Sequence, residues 1–245
     1  DDMLADTVRW IAKDGLESYV LNCGNLSDSL SFEEKRPILS RLIDVFREHA
    51  EAKGRPHSLL LVTKGGVRES KALLESRPCP NVIISFSVNS PEAAALYERG
   101  AANVADRLKA ARLLKKKGWR VRMRIDPMIA GFDYDGIIKA TSQLKPERVT
   151  AGTLRAEAML MKTQGSGDLF KDLEPPAKPK GLWRYPRALR LELYRKIVGA
   201  FSCACSVGLC EETPDVWGEL GLDIYNMRED LAKAGLTYLD EPPSA

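Results

Sequence analysis

The sequence Ser-Leu-Leu-Leu-Val-Thr-Lys at residues 58–64 decides the fold, because a continuous apolar run of this length ends in polar residues. Such a run is typical of a strand that is buried on both faces of a parallel sheet. Residues 82–89 and 121–127 repeat the pattern, and a stretch with helical periodicity follows each of the three strands. This alternation predicts an α/β fold, and a β/α barrel assembles its active site at the carboxyl ends of its strands. We therefore expect the chemistry at those strand ends.

The flanking segments predict more units of the same kind. Strands are predicted at residues 17–22 and 146–155, and a last strand is predicted to end near Glu211. Apolar residues at helical spacing predict one long helix from about Phe32 to Lys53. Together these units fit one domain, which we place at residues 1–245.

Length and composition limit the possible classes of protein. One α/β domain of 245 residues is ordinary, and only residues 163–181, rich in Gly and Pro, are predicted to leave the pattern as an irregular excursion. The formal charge of +3 is too small to indicate nucleic acid by composition alone. No apolar run approaches the length of a membrane span and the first residues lack the pattern of a signal peptide. We expect a soluble, cytoplasmic protein with no membrane partner.

The cysteines lack the spacing of a common metal site, and the histidines are too few for a catalytic triad or a histidine–zinc site. The five cysteines are an odd number without framework spacing, so reduced thiols are expected. Cys203 and Cys205 are one residue apart and, with Cys210, lack the usual C-x2-C geometry of a zinc site, so no metal is predicted there. Only two histidines are present, which disfavours a Ser-His-Asp or histidine–zinc mechanism. The chemistry is therefore expected to use a cofactor.

A strand with alternating arginines allows two interpretations. Arg120, Arg122 and Arg124 alternate strictly with apolar residues between Trp119 and Ile125. The arginines either point into an open barrel with an interior that accepts anions, or lie on an edge strand and meet water. The pattern alone leaves both interpretations open.

Two strand ends carry candidate polar residues on chemical grounds. Lys64 ends an apolar strand, where a lysine can form a Schiff base, hold a carboxylate or reach solvent. Ser27 and Asp28 follow a glycine and precede a predicted helix, so helix capping is the ordinary explanation for them.

These segments, taken in order, resemble the spore photoproduct lyase-like branch of the radical SAM superfamily. The resemblance covers most of the chain and is carried by residues 24–30, 61–64, 86–89, 98–100, 106–108, 124–127, 152–155, 184–185, 209–211 and 216–217. It implies a partial TIM-like (β/α) barrel of the radical SAM type with its first βα unit missing. It also implies S-adenosylmethionine bound on a [4Fe–4S] cluster, a 5′-deoxyadenosyl radical, a reductant protein as partner and DNA as a possible substrate.

Two departures from the family pattern change what is expected. The C-x3-C-x2-C motif that holds the cluster in the superfamily is absent from these 245 residues, so we interpret the chain as lacking the N-terminal cluster segment and expect it to be inactive alone. Asn25 stands where the DNA-repair lyases place a hydrogen-donating cysteine, and Cys23 lies two residues earlier. An amide cannot replace a thiol in that step, so efficient thymine-dimer cleavage is not expected.

The resemblance assigns S-adenosylmethionine contacts to Ser27, Asp28, Lys64 and Ser87. Asp28 and Lys64 also suit the ammonium and carboxylate of the methionine moiety.

Weaker candidates come from the other strand ends. Asn89, Arg124 and Arg155 are expected to face cofactor or substrate, and Cys210 is either functional or a core thiol. The first hypothesis is a radical SAM enzyme with an unidentified substrate. The alternatives are a non-catalytic barrel that binds S-adenosylmethionine or nucleic acid, and a lysine-dependent, aldolase-like barrel that uses Lys64.

Overall fold

The computed structural model describes residues 2–13, 19–24, 27–31, 33–55, 57–164, 167–178 and 180–222. The strands are β1 Val20–Cys23, β2 Ser58–Thr63, β3 Val82–Val88, β4 Arg120–Met128, β5 Arg148–Thr153, β6 Arg155–Ala156, β7 Trp183–Arg184 and β8 Ser206–Leu209. The α-helices are α1 Asp2–Ala12, α2 Leu39–Val45, α3 Lys71–Glu75, α4 Pro91–Tyr97, α5 Val104–Lys117, α6 Asp135–Leu144, α7 Ala158–Gln164, α8 Arg187–Phe201 and α9 Pro214–Glu219. Each predicted strand has a counterpart, with ends that differ by a few residues.

Six strands form one sheet in the order β1-β2-β3-β4-β5-β8. The pairs β1–β2, β2–β3, β4–β5 and β5–β8 are parallel, which confirms the α/β prediction. β4 is not at an edge of this order, and the Arg122 side chain is only 4% exposed. The interpretation of residues 119–125 as an edge strand with solvated arginines is therefore wrong.

The chain divides into two compact units. The first contains Ala101–Arg122 and the described residues up to Ser87, and the second contains Val88–Gly100 and residues 123–222. The prediction of a single domain stays a prediction. Across the described residues, no helix is both long and apolar enough to cross a membrane.

The first unit packs an apolar face of β1–β3. Leu60 pairs in register with Ile83, and together with Val62 they form a buried cluster against Val20. The helix α5 packs alongside, begins where the Asn103 side chain accepts the N–H of Asp106, and ends at a left-handed glycine at 118. These strands end in the polar residues of the predicted site.

The long helix predicted between Phe32 and Lys53 is wrong in its first part. α2 begins at Leu39, and a π-helical segment follows it at Phe46–Glu51. The reason is Pro37, because proline disfavours helical geometry at the preceding residue and lacks an N–H. The Glu33 carboxylate instead accepts the N–H groups of Ile38 and Leu39, at 3.1 and 2.9 Å, and so caps α2. Phe32 itself lies outside the described residues.

The second unit contains β4 from Met123 onward with β5 and β8, and α8 packs against β5 and β8 while α6 packs against α8. β6 and β7 form a separate antiparallel pair. The predicted excursion at 163–181 is partly regular where it is described. Phe170 and Leu173 join a buried cluster with Tyr185, and Glu174 exchanges two backbone hydrogen bonds with Arg184 at 2.8 and 3.2 Å.

Candidate functional site

In the first unit, Asp28 ties the loop after β1 to the end of β2. Its carboxylate accepts the backbone N–H of Lys64 at 2.6 Å, the hydroxyl of Thr63 at 2.9 Å and the N–H of Leu30 at 2.9 Å. The Thr63 hydroxyl in turn accepts the N–H of Gly65 at 2.8 Å. Asp28, directly and through Thr63, therefore fixes the backbone turn at residues 63–65. This role differs from the helix capping expected from the sequence.

The loop that carries Asp28 lies directly against β2. Gly24 has φ +95°, and a Cβ built on it would lie 2.4 Å from the Val62 carbonyl oxygen, so only glycine fits there. Ser29 fixes the same approach, because its N–H donates to Val62 O at 3.1 Å and its hydroxyl to Cys23 O at 2.8 Å. Gly24 and Ser29 thus hold the loop that places Asp28 at the end of β2.

The residues assigned to S-adenosylmethionine occupy different surroundings. Ser27 is exposed, and Lys64 is half-buried next to Asp28. Ser87 is buried near the end of β3, where the pairing of Thr63 with Phe86 puts Lys64 and Ser87 at equivalent positions of neighbouring strands. The Ser87 carbonyl accepts a hydrogen bond from the buried Arg107 guanidinium at 3.1 Å. The structure thus brings Asp28 and Lys64 together and places Ser87 at the same level of the sheet.

The resemblance places Asn25 at the hydrogen-donor position and Cys23 near it. Asn25 lies outside the described residues. Cys23, the nearby thiol, is the last residue of β1 and is half-buried, and burial raises its pKa.

In the second unit, Asn89 joins the end of β3 to the end of β4. Its amide donates to Pro127 O at 3.0 Å, and its carbonyl accepts from the N–H of Ser90 at 2.9 Å and from the Tyr134 hydroxyl at 2.8 Å. The Tyr134 hydroxyl also accepts the N–H of Ile129 at 2.6 Å. Asn89 is 2% exposed, so its side chain serves mainly to fix the backbone of this strand end.

A charged cluster, which we call the Asp126 cluster, lies at the carboxyl ends of β4, β5 and β8. It consists of Arg124, Asp126, Arg155, Cys210 and Glu211. Arg124 Nη2 donates to Asp126 Oδ2 at 2.7 Å, and Arg155 Nη1 donates to Asp126 Oδ1 at 2.8 Å. Both guanidinium groups also contact the Cys210 sulfur at 3.1 Å, and Arg155 Nε donates to Glu211.

The charges of the Asp126 cluster shift one another's titration. Burial acts to raise the pKa of Asp126, but the two guanidinium groups, Arg155 first, hold it below its usual range. Burial and the neighbouring Asp126 raise the pKa of Cys210 to about 11 against the opposing effect of the arginines. At neutral pH the cluster therefore contains an ionised aspartate and a neutral thiol.

Glycines on the neighbouring strands make room for these charged side chains. A Cβ at Gly152 would lie 2.1 Å from Asp126 Oδ1, and a Cβ at Gly208 would lie 2.0 Å from Arg148 Nη2. Asp126 and Arg148 were given no functional role by sequence. One sequence signal does mark Asp126: it carries a negative charge two residues after the positive Arg124, so the two side chains lie on the same face of one strand.

The described residues do not fit an iron–sulfur cluster. Among them, no three His, Cys, Asp or Glu side chains group as metal ligands would. The five cysteines are free thiols with different exposure, from the buried Cys79 to the exposed Cys203. The sequence also lacks a C-x3-C-x2-C motif.

Comparison with solved structures places the fold. A variant of spore photoproduct lyase in complex with dinucleoside spore photoproduct superimposes with a TM-score of 0.70 at 17% sequence identity, over 86% of this chain and 67% of that one. The fold is that of spore photoproduct lyase. A second variant, with bound AdoMet and dinucleoside spore photoproduct, gives a TM-score of 0.66 at 18% identity, over 84% of this chain and 65% of that one. The partial TIM-like (β/α) barrel fold predicted from the sequence is thereby confirmed.

A more distant likeness extends the comparison. SuiB of Streptococcus suis bound to S-adenosylmethionine gives a TM-score of 0.52 at 11% identity, over 96% of this chain and 50% of that one. The chain thus spans about two thirds of the spore photoproduct lyase chains and half of SuiB. No family model matches the chain, and no curated protein matches it.

Proposed function

We propose that this chain forms the barrel of a radical SAM enzyme, which binds S-adenosylmethionine and generates a 5′-deoxyadenosyl radical for a substrate not yet identified. The observation that carries the proposal is the likeness of fold to spore photoproduct lyase, which extends over 86% of the chain. Polar side chains at the ends of β2 and β3, where ligands bind in β/α folds, support it. DNA is the proposed substrate class, a reductant protein the proposed partner and the cytoplasm the proposed location.

Lys64 is the residue proposed to bind the carboxylate of S-adenosylmethionine. Asp28 holds the Lys64 backbone N–H at 2.6 Å and so fixes the turn from which the ammonium extends. Ser87, at the equivalent position of β3, offers a hydroxyl beside it, and Ser27 offers another from the loop. When bound, S-adenosylmethionine supplies the adenosyl group that becomes the radical.

No step through the iron–sulfur cluster is assigned to this chain, since its described residues do not fit one. An active enzyme would need cluster ligands from a segment other than the described residues, and the 245-residue chain alone is proposed to be inactive. Because Asn25 stands where a donor thiol is expected, we further propose that the natural reaction is not efficient cleavage of spore photoproduct.

Titration calorimetry with S-adenosylmethionine tests the assignment of Lys64. Lys64→Ala is expected to weaken binding tenfold or more, because a desolvated, charge-assisted contact contributes roughly 1.5–3 kcal/mol. Lys71→Ala is the matched control, since Lys71 is 76% exposed on α3 and pairs with Glu75 only at the surface. Equal affinities of the two variants would remove Lys64 from the site.

A non-catalytic binding barrel is the second candidate, and the missing C-x3-C-x2-C motif favours it. Anaerobic reconstitution with iron and sulfide, followed by visible absorption, separates the candidates. A binding barrel shows S-adenosylmethionine affinity that iron and sulfide leave unchanged. A radical SAM enzyme shows a charge-transfer band, and tighter binding, once a segment with the motif is supplied.

A further inference from the structure

The Asp126 cluster carries more positive than negative buried charge. One carboxylate, Asp126, faces two guanidinium groups, and the side chains of Arg124 and Arg155 are only 15% and 16% exposed. Glu211 adds a negative charge beside Arg155, but its side chain is 60% exposed, so solvent screens it strongly. The protected part of the cluster therefore keeps an excess of one positive charge.

Cys210 does not balance this excess. A thiolate between the two arginines would neutralise it, but burial and Asp126 raise the pKa of Cys210 to about 11. At neutral pH the sulfur is a neutral acceptor of the two contacts at 3.1 Å.

The two arginines differ in how many of their donors are used. Arg155 uses all three nitrogens: Nη1 bonds Asp126 and Thr153 O, Nη2 bonds Cys210, and Nε bonds Glu211. Arg124 uses only Nη2, for Asp126 and Cys210. Within the part of the chain that the structure describes, Nε and Nη1 of Arg124 make no hydrogen bond.

We propose that Arg124 binds an oxyanion of a ligand, a phosphate or a carboxylate, through N–H groups that its contacts with Asp126 and Cys210 do not use. A guanidinium suits such groups because it is permanently charged and carries its donors in a rigid plane. Asp126 holds this plane in place, and the approach of Asp126 depends on the absence of a side chain at Gly152. The site lies at the carboxyl ends of the strands of the second unit, and it requires neither radical chemistry nor a cluster.

The test uses inorganic phosphate and acetate as probes, each titrated at constant ionic strength against chloride while thermal unfolding is followed. A ligand that binds only the folded state raises Tm in a saturable way. We expect one of the two anions to do so with the unaltered chain, and the preferred anion identifies the group as phosphate or carboxylate. A chain whose Tm responds to neither anion more than to chloride overturns the proposal.

Variants locate the effect. Arg124→Gln is expected to weaken the anion response at least tenfold, whereas Arg195→Gln, which removes an arginine that is 59% exposed on α8, should leave it unchanged. If Arg124→Gln does not fold, Arg124→Lys keeps the charge with fewer donors and should respond more weakly than the unaltered chain. An undiminished response in the folded Arg124 variant contradicts the site. No S-adenosylmethionine is used, so a negative result leaves the proposed function standing.

Discussion

The strands of the first unit carry a buried apolar cluster, and the strands of the second unit carry buried charged side chains. In the first unit, Leu60, Val62 and Ile83 pack into a cluster in which every member is at most 8% exposed. In the second unit, Arg148 lies against Gly208 and Asp126 lies against Gly152. Both units bury hydrocarbon, but the second also buries ionised side chains on its strands that need partners.

This difference indicates where each unit can carry chemistry. In the first unit, Asp28 accepts the backbone N–H groups of Leu30 and Lys64 and the hydroxyl of Thr63 at the end of β2. The second unit places ionised side chains on its strands, where the loss of one ion pair with Asp126 would leave a buried arginine without its partner. The first unit thus offers a fixed backbone turn around Lys64, and the second offers the buried charges of the Asp126 cluster.

The largest effect is expected from Asp126→Ala. Loss of the carboxylate leaves Arg124 without a counter-charge and Arg155 with only the exposed Glu211, and breaking a buried pair in this way costs about 3–5 kcal/mol. Urea unfolding measures the loss. Asp215→Ala is the control, since Asp215 pairs with Arg187 at the surface and its removal should cost less than about 1 kcal/mol. Similar losses for both variants would show that the second unit does not depend on its buried charge.

A smaller effect is expected from Asp28→Ala in the first unit. The variant leaves the Lys64 N–H and the Thr63 hydroxyl without their acceptor, which should cost about 2 kcal/mol because hydrogen bonds to a charged group are stronger than neutral ones. Asp28→Asn retains an acceptor oxygen and should lose less, as measured by the same unfolding assay. An Asn variant as unstable as the Ala variant would mean that the charge, and not the geometry of the turn, stabilises this strand end.

Gly208→Ala tests whether the buried Arg148 requires the absence of a side chain at residue 208. The added methyl group would meet Arg148 Nη2, and Arg148 is 4% exposed, so its guanidinium has little room to move and a loss of about 1–2 kcal/mol is expected. Gly199→Ala is the matched control, because Gly199 is exposed on α8 with open space around it and should gain roughly 0.5–1 kcal/mol. Opposite signs in thermal unfolding support the close approach of Arg148, and a gain in both variants argues against it.

The sequence predicts the strands well, because continuous apolar runs such as residues 58–64 have few other uses in a chain of this composition. The boundaries of helices are less predictable. The periodicity that extends through residues 39–46 is real, but Pro37 and the cap from Glu33 set the start of α2.

The site was predictable only where it is local. Asp28 and Lys64 follow from a resemblance carried by short segments, and the structure brings them into contact. The sequence marks Arg124, Arg155 and Cys210 as separate strand-end candidates, but their contacts span 29 positions in one case and 86 in another, so no local pattern shows that they meet. The role of Gly152 and Gly208 likewise depends on which side chain of the adjacent strand lies opposite, which only the register of the sheet decides.

The smallest expected effect is a dependence of stability on pH that separates the two units. His57 in the first unit is fully buried against Trp10 and Tyr19, and burial, with Arg55, lowers its pKa below 6.5. Below pH 6.5 the unfolded chain therefore binds a proton that the folded chain resists, so stability present above pH 6.5 is lost as the pH falls. This loss is at most about 1.4 kcal/mol per pH unit.

Asp126 acts in the same direction but in a lower window, because its folded pKa lies below the ordinary value of 3.8. Its stabilisation is complete above that value and is lost only as the pH falls further. Urea unfolding at intervals between pH 7.5 and 5 should show a slope that His57→Phe, which keeps a ring in the stack, reduces. Asp126→Asn should leave the slope in that range unchanged. A slope that follows Asp126 instead would place the acid sensitivity in the second unit and not in the first.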